Sequence, residues 1–166
     1  RGLEAGGPLA EPYTVGCAAR ITRVERLEDG RMNLTALGEE RFRILGISQA
    51  RAYLVGQVES LPLERPCSLE MQRGARQLRP WVQRYLELVS RLDTENELDL
   101  SQLQLPDEPL MLAYLSAMLL QLPPHEKQPL LEAPDAPALL QSVLRLVRRE
   151  AAVISYIRGV EKAGLN

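Results

Sequence analysis

An α+β fold, β-rich in its first half and helical in its second, follows from three features of the sequence. From Val15 to Glu59 apolar and polar residues alternate with a period near 2, the signature of strands. Beyond Pro66 the apolar period lengthens to about 3.6, the signature of amphipathic helices. Leu61-Pro62 stands at the changeover, where proline cannot donate to a ladder. The expected organisation is a flexible lead-in over 1–12, a β-rich subdomain over 13–63 and a helical subdomain over 66–160.

The lead-in holds Gly2, Gly6, Gly7, Pro8 and Pro12, a composition that disfavours regular elements. From Val15, Cys17, Ala19 and Ile21 fall on one face of a strand. Val24 and Leu27 then break the phase, which predicts a β-bulge near Arg23. Glu28-Asp29-Gly30 reads as a hairpin turn, because Gly30 can take the positive φ of a tight reversal. Met32, Leu34 and Ala36 form the returning strand, which Gly38 is expected to end. Phe42 and Ile44 make a further alternating pair. The run from Ala52 to Glu59 carries apolar residues on both faces and is expected to be a central strand.

In the helical half, Met71, Ala75, Leu78, Val82, Tyr85 and Val89 share one stripe, with Arg73, Arg76, Arg84 and Arg91 opposite. Pro80 inside this helix removes a donor and predicts a kink or break between Gln77 and Trp81. Leu92 to Leu105 reads as an acidic loop. Asp107 is expected to cap the next helix, with Pro109 in its first turn. That helix, with Leu112, Leu115, Leu119 and Leu122, is apolar almost all round and expected to be buried. His125 to Ala133 reads as a short helix disturbed by Pro129. Asp135 caps a long last helix whose inner face is Leu140, Val143, Leu144, Val147, Ala151, Ile154 and Arg158, with Arg145, Arg148 and Arg149 outside. Gly159 or Gly164 can end it.

The chain has 166 residues, 45% hydrophobic and 25% charged, with a formal charge of -2. These values fit a globular domain with a real core and give no net attraction to phosphate or anionic lipid. Cys17 and Cys67, far apart and outside any metal-ligand spacing, read as free thiols in a reducing compartment. With no apolar run long enough to span a bilayer, the expectation is a cytoplasmic protein that does not engage a membrane.

Catalysis needs a nucleophile or base with a partner, or a metal with ligands. The single histidine, His125, follows Pro123-Pro124 and reads as an exposed capping residue. No phosphate-cradling glycine motif is present, so no cofactor is expected. Asp93, Glu95, Glu97 and Asp99 lack the glycine and terminal glutamate of a calcium loop and read as solvated surface. Arg73, Arg76, Arg84 and Arg91 form a candidate anion-binding stripe, although an amphipathic helix needs a polar side in any case. Trp81 and Tyr85 read as packing residues.

Five stretches taken together resemble the N-terminal domain of Lon proteases: Val15 to Ile21, the hairpin Leu27 to Leu34, Gly38 to Ile44, Ala52 to Glu59, and His125-Glu126-Lys127-Gln128-Pro129-Leu130-Leu131-Glu132. The resemblance runs over most of Tyr13 to Ile157. It implies a PUA-like pseudo-barrel β subdomain followed by an α-helical bundle. It also implies recognition of unfolded or damaged polypeptide, which full-length Lon passes to an ATPase and a serine-lysine peptidase. Neither module accompanies this sequence, which points to a fragment or, preferably, to a stand-alone Lon-domain protein without enzymatic activity of its own.

The family's opening Leu-Pro-Leu-Phe-Pro-Leu and Phe-Glu-Pro-x-Tyr motifs do not precede Arg1. The sheet is therefore expected to lack its first strands, with upstream residues or another chain covering the edge. An exposed sheet edge and the apolar surface next to the hairpin are expected to hold unfolded or extended polypeptide, through Tyr13, Arg41, Phe42 and Tyr53, with a core role for Phe42 as the simpler reading. Two alternatives stay open. PUA-like barrels also bind RNA, which the charge and scarce aromatics disfavour here; a structural self-assembly domain would form a homo-oligomer.

Overall fold

A computed structural model describes residues 11–51, 53–63, 69–91 and 103–164, with side chains to residue 157. The lead-in before residue 11, Cys67, the acidic residues Asp93 to Asp99 and the side chain of Arg158 lie outside the described residues. The chain divides into two compact units, Arg1–Leu63 and Glu64–Asn166. Together they make an α+β protein, one unit holding a three-stranded antiparallel sheet and the other four helices.

The sheet has the order β1 (Val15–Arg26), β2 (Met32–Ser48), β3 (Val55–Ser60). Its first reversal is the expected one. Gly30 has φ 84°, Leu27 O accepts from Gly30 N at 3.1 Å, and Leu27 N donates to Arg31 O at 2.9 Å. This is a tight turn closed by a left-handed glycine. Asp29 locks it, its carboxylate accepting from Arg31 N at 3.0 Å and Arg31 Nε at 2.6 Å.

The phase slip near Arg23 is real. Ile21 pairs with Ala36 and Arg23 with Thr35, leaving Thr22 as the extra residue of a bulge. Gly38, however, does not end the second strand. It pairs with Ala19 inside a continuous 17-residue β2 that absorbs irregularities at Glu39 and Leu45. The run ending in Glu59 is not central either, since β3 pairs with β2 alone among the described residues. Apolar residues on both faces report what covers a strand's faces, not how many strands flank it.

The bulge at Glu39 has a geometric consequence. Following the register, Ile21, Val24, Met32, Leu34 and Ala36 share one face, whereas Phe42, Ile44 and Val58 share the other. One inserted residue thus moves the apolar side of β2 across the sheet. Phe42 lies opposite Gly16, and a Cβ built on Gly16 would stand 2.6 Å from the ring's Cζ. Gly16 is the space that the Phe42 ring fills.

In the second unit, α1 (Leu69–Ser90) buries the whole predicted stripe, Met71, Ala75, Leu78, Val82, Tyr85 and Val89, together with Leu86. It runs unbroken through Pro80, so the expected break is absent. The carbonyl left without its donor is that of Arg76, and Arg76 and Pro80 are both exposed, so solvent can replace the lost bond. Arg79 holds the segment leading into α2 (Pro109–Leu119), donating to Leu105 O at 3.2 Å and Pro106 O at 2.5 Å and pairing with Asp107 at 3.0 Å.

With Asp107 so engaged, the cap of α2 is Glu108, whose carboxylate accepts from Leu110 N at 3.1 Å and Met111 N at 2.6 Å. Pro109 takes the first turn as expected. The helix is buried on one side only, by Leu110, Leu112, Ala113 and Ser116. Met111, Tyr114 and Met118 remain 50%, 42% and 69% exposed, which corrects the expectation of a wholly buried helix.

The short α3 (Pro124–Leu131) accommodates Pro129, and its N-cap is Pro123, so His125 is exposed without capping. Asp135 does cap α4 (Ala136–Gly164), accepting from Ala138 N at 2.8 Å. Helix α4 continues through Gly159 to Gly164. Its residues Leu140, Val143, Leu144, Val147 and Ala151 are buried, and Ile154 is half-buried. Gly74 meets Leu140 and Trp81 meets Arg148, so α1 and α4 run parallel.

Candidate functional site

The β unit keeps much of its apolar surface open. On the hairpin face, Ile21, Val24, Met32 and Leu34 are 56%, 52%, 55% and 57% exposed. Strand β1 pairs only with β2, and from Met32 to Glu40 strand β2 pairs only with β1 among the described residues. Apolar side chains therefore flank unpaired backbone donors and acceptors, the combination on which an extended chain can add as a further strand.

The residues expected to hold polypeptide do not form one cluster. Arg41 and Phe42 are consecutive in β2 and point to opposite faces. Arg41 Nε donates to Leu61 O at 3.2 Å, while Phe42 packs on Gly16. Tyr53 is exposed in the loop before β3, its hydroxyl accepting from Arg51 at 2.7 Å. Tyr13 is half-buried just ahead of β1.

In the helical unit, Arg73, Arg76 and Arg84 are exposed along α1, and Arg91 is exposed just after its end. Tyr85 is buried instead. Its hydroxyl accepts from Gln121 N at 3.2 Å and faces Leu119 O at 3.5 Å, and burial raises its pKa above the ordinary phenol value. His125 borders a cleft with Glu126, Ser142, Arg145 and Arg149. There Ser142 accepts from Arg145 at 3.0 Å, and Arg149 is neutralised by Glu126 and Glu150. Among the described residues no group of three or more His, Cys, Asp or Glu is placed to hold a metal, and no helix is long and apolar enough to cross a membrane.

The profile of the ATP-dependent protease La (LON) substrate-binding domain matches residues 4–149. The chain belongs to that family. It is similar to Lon protease 2 of Syntrophobacter fumaroxidans, 33% identical over 153 residues that make up 92% of this chain and 19% of that protein. It is also similar to the Lon protease of Paraburkholderia phytofirmans, 30% identical over 142 residues, or 85% of this chain and 17% of that protein. The chain thus spans about a fifth of the length of the curated relatives it matches. The N-terminal domain of Mycobacterium avium complex Lon protease superimposes with a TM-score of 0.59 at 23% identity, covering 85% of this chain and 74% of that one. At that identity the likeness shows a shared fold.

In this Lon domain the sequence did not single out the residues of two surface groups. The first is Ile21, Val24, Met32 and Leu34, the apolar surface expected beside the hairpin, which the bulge at Thr22 gathers on one exposed face. The second is Met111, Tyr114 and Met118, which recur at helical spacing within an all-apolar helix. Periodicity reports that residues share a face; it does not report whether anything covers that face.

Proposed function

We propose that this Lon domain is a polypeptide-binding module, non-enzymatic in itself, that holds unfolded or extended segments against its β unit. The observation that carries the reading is the exposed row Ile21, Val24, Met32 and Leu34 beside strand edges with open hydrogen-bonding positions. Main-chain pairing supplies affinity that tolerates any sequence, and the apolar row favours segments that expose hydrophobic side chains, as unfolded proteins do. The family's description as a substrate-binding domain supports the same reading.

Leu34 is already about half covered, so an apolar ligand gains roughly 1 kcal/mol there, and an unpaired carboxylate in its place adds a desolvation cost. Leu34→Asp is expected to weaken binding of a labelled, reduced and carboxymethylated unfolded protein by about tenfold in fluorescence anisotropy. The reading fails if the wild-type chain shows no saturable binding, or if Leu34→Asp and Ile21→Asp both bind as the wild type does.

A further inference from the structure

The parallel helices α1 and α4 carry a groove that the β-unit reading does not use. At one end lies a recess of about 170 Å³, lined by Met71, Gly74, Gln77, Pro137, Leu140 and Leu144 with Glu70 and Arg73 among its other lining residues. Gln77 and Leu144 are followed one helical turn later by Trp81 and Arg148, so the indole lies one turn beyond the recess along the α1–α4 seam. There two guanidiniums from different helices converge. Arg148 lies 5.2 Å and Arg84 5.7 Å from the Trp81 ring centroid, so they are no farther apart than the sum of those distances.

Four arginines pair with carboxylates: Arg20 with Glu39, Arg31 with Asp29, Arg79 with Asp107, and Arg149 with Glu126 and Glu150. Among the described residues Arg84 and Arg148 have no carboxylate partner, and both are exposed. Two like charges held at one indole repel each other, and anionic groups bound to them lower that cost. The ring supports both side chains, which limits the rotamer freedom lost when they engage.

We propose that this groove binds an acidic polypeptide segment, with an aliphatic side chain in the recess and a pair of carboxylates on Arg84 and Arg148. The apolar recess selects polypeptide over nucleic acid, since a phosphate backbone has nothing to place against Met71, Leu140 and Leu144. The ligand's direction follows from the two ends of the site: at the recess Glu70 and Arg73 offset each other, whereas the Trp81 end presents two arginines. Gly74 and Trp81 are seven residues apart on α1, about 10 Å along its axis. An extended chain covers that span in about three residues. This second surface stands independently of the β-unit reading.

Trp81 is the only tryptophan, so the intact chain carries its own reporter at the site. The probe is a blocked ten-residue peptide in which leucine is followed three and four residues later by aspartate and glutamate. Saturable change in Trp81 emission is expected, and about a tenfold or greater loss of affinity with the Asn/Gln version of the peptide or with Arg84→Gln or Arg148→Gln. The double variant Arg84→Glu with Arg148→Glu is expected to regain binding when lysines replace the peptide's two acids. Both arginines are exposed, and circular dichroism confirms folding of each variant.

Equal binding of the acidic and amide peptides, or unchanged affinity in both arginine variants, overturns the proposal. So does tighter binding of a single-stranded oligonucleotide of matched charge at the same Trp81, which would make the groove a nucleic-acid face. Leu34→Asp should leave peptide binding intact, which separates failure here from failure of the β-unit reading.

Discussion

The contact between Gly16 and Phe42 is the sharpest test of the sheet register. A methyl group on Gly16 would stand 2.6, 2.8 and 3.3 Å from three ring carbons of Phe42, whereas carbon atoms rest comfortably at about 3.5–4.0 Å. The ring must retreat by about 1 Å, an overpacking cost of roughly 1–3 kcal/mol. Replacing a strand glycine returns about 0.5–1 kcal/mol of backbone entropy, so Gly16→Ala should destabilise the β unit by roughly 1–2 kcal/mol net. Phe42→Ala alone should cost about 2 kcal/mol, because the ring is only half-buried.

In the double variant the overlap disappears, and the two changes should together cost about 1–2 kcal/mol less than their sum. Hydrogen exchange of the β1 and β2 amides, read by mass spectrometry, measures these opening free energies within the β unit alone. Strictly additive losses, or a Gly16→Ala variant as protected as the wild type, would refute the pairing of Gly16 with Phe42.

Two further expectations concern the helical unit. Pro80→Ala restores a donor for the Arg76 carbonyl in a helix that is already unbroken through this position; it should raise the urea midpoint by the equivalent of about 1–2 kcal/mol, and a fall would show that Pro80 is required. Tyr85 has a folded pKa raised by burial, so its contribution is fully present below the ordinary phenol pKa of about 10 and is lost as pH rises through the folded value. Tyr85→Phe should therefore cost about 1 kcal/mol at pH 7 and lose stability less steeply above pH 10; parallel alkaline profiles for the two proteins would contradict this.

Much of the fold was legible because local chemistry left few alternatives. The stripe Met71 to Val89 permits one buried face, Asp29-Gly30 permits a tight reversal, and Asp135 finds an unpaired N–H as soon as a helix begins after it. What escaped depended on partners distant in sequence. Arg79 takes Asp107 and leaves the cap of α2 to Glu108, a choice made 28 residues away. The Arg76 carbonyl can lose its partner at Pro80 because its surroundings are open to solvent. Phe42 is directed to its face by the extra residue at Glu39, and alternation alone would have placed it beside Leu34.

The candidate surfaces divide in the same way. Arg84 was visible as one of four arginines on a helical stripe, and Arg148 as an outward residue of the last helix. Arg84 reaches Trp81 by i,i+3 spacing on α1, whereas Arg148 reaches it through the parallel packing of α1 on α4, set where Gly74 admits Leu140.

By itself the sequence determined the α+β class, the hairpin and the buried faces of α1 and α4, since each rests on periodicity or on turn and cap chemistry within a few residues; the resemblance to Lon domains rests on the order and spacing of five stretches taken together. Only the tertiary structure decided which apolar faces stay open, which strand is central and which arginines converge. Those outcomes depend on which residues meet across the chain, and spacing along a sequence carries no record of that.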